Sequence, residues 1–412
     1  MNKVIVIGGG AAGMMAAIVA ARNGSEVLLL EHKDRIGNKI LATGNGKCNL
    51  TNRLLSAEFY RGNHPEFVEE LFEVFGIKET IQFFLELGIY TKNRNGYLYP
   101  YSDQAASVLD ALRFEIRRLQ IQVILECHIL DIKKSEFGEF MVKTDQAGIL
   151  HSTSVIIATG SMAAPKTGSD GSGYKIAKKL GIPIRKPVPA LVQLRSPLKI
   201  FKSISGIRMD TRLTVVVNGS PVDSDRGELQ ITEYGISGIP TFQISGTAAR
   251  AIEEQKEVEV AIDFMPDFTK EYLYDFLKNR FDNSFDKTNE ECLVGLFPKK
   301  MISFFLKECQ ISLNSLSQDI KKEQLNNLCY LLKEFRVPIE ATNGFENAQT
   351  CSGGVLTECL TNKLEARNMN GLYFAGEIID IDGLCGGYNL QWAWTSGYVA
   401  GKSASNDTNQ SN

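Results

Sequence analysis

Three glycines close to the start of the chain, Gly8, Gly10 and Gly13 in GGGAAG, stand at the spacing GxGxxG. That spacing lets a backbone turn tightly after a strand, leaves room for a pyrophosphate at the second glycine, and lets the next helix pack closely on its strand. Backbone donors at the helix start, Ala12 among them, then face the phosphate charge. Glu31 closes the apolar run SEVLLLEH twenty-three positions after Gly8, where a carboxylate accepts hydrogen bonds from the hydroxyls of an adenosine ribose. A second group of chemistry-bearing residues lies far along the chain: Gly376, Glu377, Asp380 and Asp382, then Gly387, Tyr388 and Asn389.

The elements that must position these groups read clearly. Residues 3 to 7 (KVIVI) form a buried parallel strand, residues 12 to 23 a helix, and the run ending in Glu31 a second strand. Residues 64 to 123 carry mostly helical periodicity, with a helix beginning near Ser102 or Asp103, and a three-stranded excursion follows. VIIATG, residues 155 to 160, is a strand ending in Gly160, and LYFAGE, residues 372 to 377, is another ending in Gly376 and Glu377. A nicotinamide dehydrogenase needs no such distant strand returning to its cofactor, whereas a two-dinucleotide-binding flavoprotein does, because the longer FAD is held at both ends. FAD, bound non-covalently, is therefore the expected cofactor, with NAD(P)H as a transient electron donor. A helix starting near Asn389 would aim its amide end at the pyrimidine edge of the flavin, where reduction develops negative charge.

The glycine-rich stretch RIGNKILATGNGKCNLTN, residues 35 to 52, reads as a loop wrapping the pyrophosphate and flavin edge, with Lys39 and Asn49 among its donors. Cys48 lies inside it. A thiol beside a flavin can serve as acid or nucleophile, although a small residue packing in a tight turn is the more ordinary role. Cys48 and Tyr388 are the candidate proton donors, and Trp392 and Trp394 read as packing groups.

Residues 189 to 265 change character to short strands (TRLTVVV, GELQITEYG, EVEVAIDFM), and residues 266 to 335 return to helices. The expected organisation is α/β: a parallel-sheet FAD-binding domain beginning with 1–188, an inserted β-rich domain at 189–265, an inserted helical domain at 266–335, and a return to the β-rich and FAD-binding parts over 336–412. The chain of 412 residues is 43% hydrophobic and 23% charged, with 45 basic against 48 acidic side chains. This is the composition of an ordinary globular protein, and its balance of −3 argues against a broadly cationic nucleic-acid binder. No apolar run is long enough to span a bilayer, and eight scattered cysteines without a CxxC pair support neither a disulfide framework nor a zinc site. A cytoplasmic protein without a metal is the expectation; the oligomeric state is left open.

On GGGAAG at 8–13, GNKILATGNGKCNLTN at 37–52, VIIATG at 155–160, GISGIP at 235–240 and LYFAGEIIDIDGLCGGYNLQWAWTSG at 372–397, the chain resembles the YhiN/BaiN family of FAD-dependent oxidoreductases, some of whose members carry the label aminoacetone oxidase. The resemblance implies a two-dinucleotide-binding flavoprotein fold interrupted by a β-rich and a small helical domain. It also implies cofactor contacts at Gly8, Gly10, Ala12, Gly13, Glu31, Lys39, Asn49, Gly160, Gly376, Glu377, Asp380, Gly387 and Asn389. Asn38 and Lys47 stand where the family usually has arginine, and a lysine keeps the charge but loses two-point geometry toward an anion.

Two substrate classes follow from the resemblance. Reduction of uridine to dihydrouridine in ribosomal RNA is the leading expectation, with Arg185, Lys186, Lys199, Lys202, Arg208, Lys299 and Lys300 as a local phosphate-binding surface. The alternative is an NAD(P)H-dependent ene-reductase of a small conjugated molecule. Both need a hydride at one alkene carbon and a proton at its neighbour. A non-catalytic, FAD-binding redox sensor is the reading outside enzymology.

Overall fold

Val4, Ile5, Val6 and Ile7 are all buried along β1 (Lys3–Ile7), as a continuous apolar run in the middle of a parallel sheet requires. The computed structural model describes residues 2–284 and 286–406. From β1 the chain enters helix α1 (Ala11–Arg22) and returns through β2 (Glu26–Leu30), parallel to β1 with Val6 opposite Leu29. The sheet has five strands in the order Leu372–Phe374, Ser154–Ile157, β1, β2, Gln122–Ile124, all parallel. Its strand farthest along the chain thus pairs beside Ser154–Ile157, with Ile156 opposite Tyr373. The expected three-stranded excursion is present as an antiparallel meander of Ile129–Lys134, Phe140–Thr144 and Ile149–Ser152.

The chain divides into two compact units, one of residues up to 189 together with those from 348 onward, the other of residues 190–347. In the first unit the long helix Tyr388–Asn406 lies along α1, and a Cβ on Gly401 would come within 2.5 Å of the Ala16 carbonyl oxygen. Glycine at that position therefore sets how closely the two helices approach. Trp392 and Trp394 are fully buried on this helix; their indoles donate to the carbonyls of Gly376 at 3.1 Å and Leu50 at 3.0 Å. They pack and fix backbone, which is the role expected of them. Within the mostly helical stretch the short strand or turn expected at NGYLYP is the second strand of a hairpin, Thr91–Arg94 with Tyr97–Pro100, and it also pairs with Thr51–Asn52. The helix expected near Ser102 or Asp103 begins at Ala105.

The second unit is built on a seven-stranded antiparallel sheet in the order Phe335–Pro338, Val258–Asp263, Arg208–Val217, Ser220–Thr232, Gly235–Ser237, Leu194–Arg195, Ala341–Thr342. A helix not legible in the strand-like sequence, Ile239–Glu253, packs on this sheet through Ile244 and Ala248. The helices Lys270–Asp282, Lys299–Glu308 and Lys322–Lys333 share the same core through Leu277, Phe305 and Leu328.

Candidate cofactor-binding site

Gly8 leaves β1 with φ at +103°, and a Cβ there would lie 2.5 Å from the Ala158 carbonyl oxygen at the end of the neighbouring strand. Gly13 has ordinary helical neighbours, but a Cβ on it would collide with the Gly8 carbonyl oxygen, so this glycine sets the packing of α1 on β1. Gly10 is different. Nothing lies within 4 Å of where its Cβ would be, so the space in front of α1 is open at the residue where a phosphate must approach. Gly10 caps α1 without a side-chain bond, the first turn carries no acidic residue, and Met14 is the residue whose amide returns to Gly10. The helix start therefore presents amide donors and the positive end of its dipole together.

Glu31 is buried at the end of β2. Its Oε2 accepts from the Gly9 amide at 2.7 Å, and its Oε1 accepts from the Lys33 amide at 2.8 Å and faces His32 Nδ1 at 3.1 Å. Burial pushes its carboxyl up, but the bonds from His32, Lys33 and Gly9 outweigh that and hold it below the ordinary carboxylate value. It is an anion with fixed orientation.

In the 37–52 stretch Asn38–Ala42 is a short helix, and the turn over Thr43–Gly46 that follows holds Gly44, Asn45 and Gly46 in the left-handed region. Cys48 sits in the left-handed region with φ at 59°, fully buried. Burial pushes its thiol up to about 12, with a Thr43 hydrogen bond pulling only partly back, so it keeps its proton at neutral pH. Next to it, Asn49 Oδ1 and Thr51 Oγ1 are buried without hydrogen-bond partners. A Cβ on Gly387 would lie 3.0 Å from that same Asn49 oxygen and 2.8 Å from the Thr51 backbone. Buried acceptors left unsatisfied are costly, and the Asn49 oxygen beside Gly387 suits a ligand that donates a hydrogen bond.

Lys39 and Glu377 meet from opposite ends of the chain, Nζ to Oε2 at 2.5 Å, and Ser161 Oγ donates to the same oxygen at 3.0 Å. Ser161 follows Gly160 directly, so the turns after β2, Ser154–Ile157 and Leu372–Phe374 converge here. Gly376 is held by Ser396 Oγ, which accepts from its amide at 2.8 Å. Asp380 is fully buried; its Oδ2 accepts from the Asn63 amide at 3.2 Å and faces Arg185 at 3.5 Å, while its Oδ1 has no hydrogen-bond partner. The side chain of Asn389 is committed elsewhere: it accepts from the Gly383 amide at 2.9 Å and donates to the Gly383 carbonyl at 2.7 Å. It clamps the loop ahead of the last helix, leaving backbone as its contribution toward a ligand. That helix begins at Tyr388, one residue before the expected start. Tyr388 stacks on Phe59 at 4.8 Å, its carbonyl accepts from the Tyr60 phenol at 2.9 Å, and burial raises its own phenol to about 12.

Sequence reasoning missed His32, and it marked the polar turn after Gly160 as a candidate for cofactor contact without singling out Ser161. Neither belongs to a spaced motif, and only the fold brings them against Glu31 and Glu377. Among the described residues no three His, Cys, Asp or Glu side chains converge as metal ligands, and no helix is long and apolar enough to cross a membrane. The open helix start, the oriented Glu31 carboxylate and the unsatisfied oxygens of Asn49 and Asp380 together fit an elongated dinucleotide, with phosphate at one place and hydroxyl or ring N–H donors at the others.

A family model described as HI0933-like protein Rossmann domain matches residues 2–403. A 3-dehydro-bile acid delta(4,6)-reductase of Clostridium scindens is 44% identical over 407 residues, covering 98% of this chain and 99% of its own length. Ribosomal RNA dihydrouridine synthases of Haemophilus influenzae and Escherichia coli are 29% and 31% identical, over 97% and 96% of this chain and 98% and 96% of theirs.

Proposed function

The chain belongs to the HI0933-like family of FAD-dependent Rossmann proteins, and from that premise we propose that this oxidoreductase reduces a conjugated carbon–carbon double bond in a small bile-acid-like ketone. The observation that carries the proposal is the 44% identity, end to end, with the bile-acid reductase, against 29% and 31% with the RNA-modifying relatives. The charge pattern supports the same preference. Of the basic residues expected to form a phosphate surface, Arg208 is bonded to Glu228 at 3.0 Å, Lys299 lies 3.6 Å from Glu290, and Arg185 faces the buried Asp380. Residues 190–347 carry 19 Lys and Arg against 23 Asp and Glu. A groove that binds RNA gains its affinity from unneutralised cations, and three of the seven expected here already face acids. The small-molecule alternative thus replaces ribosomal RNA as the leading reading.

FAD supplies the hydride chemistry when bound, with NAD(P)H proposed as its reductant. The chain's part is to hold and orient. Gly8, Gly10, Ala12 and Gly13 would cradle the pyrophosphate, Glu31 would accept from the adenosine ribose, and Lys39, Asn49, Gly160, Gly376, Glu377, Asp380, Gly387 and Asn389 would line the rest of the cofactor's path. A proton must also reach the substrate. Cys48 and Tyr388 both keep theirs at neutral pH, and we favour Tyr388, because the Cys48 thiol is sealed in a turn and bonded to Thr43.

The test is anaerobic incubation of the FAD-loaded protein with NADH or NADPH and a 3-dehydro-bile acid carrying conjugated Δ4,6 double bonds, read by loss of dienone absorbance and a gain of two hydrogens in mass. Turnover supports the proposal. Absence of turnover, with loss of dihydrouridine from ribosomal RNA after gene deletion in the host, would return the reading to RNA.

A further inference from the structure

The ribose carboxylate has more claimants than acceptor positions. An ionised carboxylate offers about four lone-pair sites over its two oxygens. On Glu31 the Gly9 amide takes one at Oε2 and the Lys33 amide one at Oε1, while His32 Nδ1, 3.1 Å from Oε1, stands over the other position there. One is left, while the ribose of FAD brings two adjacent hydroxyls. The two amides are fixed by the course of the backbone; the imidazole is the movable claimant. Its other nitrogen, Nε2, is buried without a hydrogen-bond partner, with Asp170 Oδ2 at 3.9 Å, so swinging the ring away from Glu31 breaks no second hydrogen bond.

We propose that His32 and one ribose hydroxyl of FAD compete for the same acceptor position on Glu31, so that cofactor binding displaces the imidazole and expels its proton. The inference rests on the family's FAD and is independent of which substrate is reduced.

The groups facing His32 set the sign. Glu31 bonds it from the end of β2, Asp170 faces it from the loop after Ser154–Ile157, Lys33 follows it in sequence, and the His128 ring, itself 3.0 Å from Asp145, stands 5.7 Å away on the meander. The Glu31 bond raises the His32 pKa above its ordinary 6.5; burial opposes this, Asp170 adds to it and Lys33 subtracts. A ring moved off Glu31 loses the largest of these supports and gives up its proton near neutral pH. A ligand whose binding releases a proton binds more tightly as pH rises, so FAD affinity should climb through the His32 titration.

The experiment is calorimetric titration of FAD into the full-length protein freed of flavin, between pH 6 and pH 8, in buffers of different ionisation enthalpy. Wild type should release a proton on binding, and its affinity should rise severalfold across the range, below the roughly hundredfold that one fully titrating group could give over two pH units. His32→Gln keeps a donor that does not titrate, and His32→Ala removes the competitor; both should bind FAD with a flat pH profile and no proton release, and H32A should be the tighter at pH 6. His128→Gln should keep the wild-type slope. Release that persists in H32Q, or wild-type binding without release, overturns the assignment of His32 while leaving the FAD reading intact. A wild-type protein that binds no FAD at any pH overturns both. Should H32A fail to fold, H32Q alone decides.

Discussion

Lys39 Nζ lies 2.5 Å from Glu377 Oε2 across 338 residues of chain. The pair joins the short helix after β2 to the 3-10 turn after Leu372–Phe374, both partly buried, and Ser161 shares the carboxylate. Lys39→Met would leave Glu377 with a single neutral donor. A charged hydrogen bond of this kind contributes about 1.5–3 kcal/mol to stability, so K39M should melt earlier than wild type and retain less FAD, as thermal melts and flavin retention through gel filtration would check. Glu377→Gln keeps the Ser161 contact and should lose less.

The glycines of the phosphate turn should separate folding from binding. Gly13→Ala drives a methyl group into the Gly8 carbonyl and should cost several kcal/mol, giving little soluble protein. Gly10→Ala places its methyl in open space with φ at −78°, so the flavin-free protein should melt within a few degrees of wild type while FAD binding is lost or much weakened. Thermal melts with and without FAD distinguish the two.

Glu115 is a buried carboxylate shared by Arg22 at 2.8 Å and Arg118 at 2.7 Å, tying the end of α1 to the Ala105–Arg118 helix. The Arg118 hydrogen bond, opposed by burial and aided by Arg22, holds its pKa below the ordinary carboxylate value. A depressed folded pKa means that its stabilisation is complete above the unfolded value of about 4.3 and is lost as pH falls through the lower folded one. Glu115→Gln should therefore destabilise by about 1–3 kcal/mol at pH 7. It should also flatten the acid side of the stability curve, checked by urea melts from pH 7 down to pH 3.

The Cys48 thiol, pushed to about 12, should resist iodoacetamide at pH 8 in the folded protein and react only after unfolding, as peptide mass spectrometry would show. Cys48→Ala should keep most of the proposed reductase activity. Tyr388→Phe should lower the rate of the proposed substrate reduction and leave flavin reduction by the proposed nicotinamide donor unchanged, which stopped-flow absorbance resolves.

The parts of this molecule legible in sequence are those whose cause is local. Lys3–Ile7, the three glycines and Glu31 announce themselves because a buried strand, a close turn and a terminal acid each need particular residue types in order. The helix Ile239–Glu253 was hidden because Gly238 and Pro240, which start it, also read as loop residues between strands, and only packing on the sheet decides for the helix. At the hairpin Thr91–Pro100 a short strand or turn was legible in NGYLYP, but its pairing with the two-residue strand Thr51–Asn52, about forty-five positions earlier, was not. Asn389 was placed correctly at the start of its helix, but nothing in its neighbours foretold that its amide would be spent on Gly383. Ser161 became part of the site only when the Ser154–Ile157 and Leu372–Phe374 strands were laid side by side.

The parallel sheet takes its last strand, Leu372–Phe374, from beyond a contiguous 190–347 unit with its own sheet and core. During translation the ribosome delivers that unit whole before it delivers the strand and the helix that finish the FAD-binding half. The interrupted half must therefore wait as a nascent chain, its edge beside Ser154–Ile157 unpaired, while the later-made unit has everything it needs to fold first. Pairing across so long a separation is slow, and the sheet edge beside Ser154–Ile157 can close only once Leu372–Phe374 has been made.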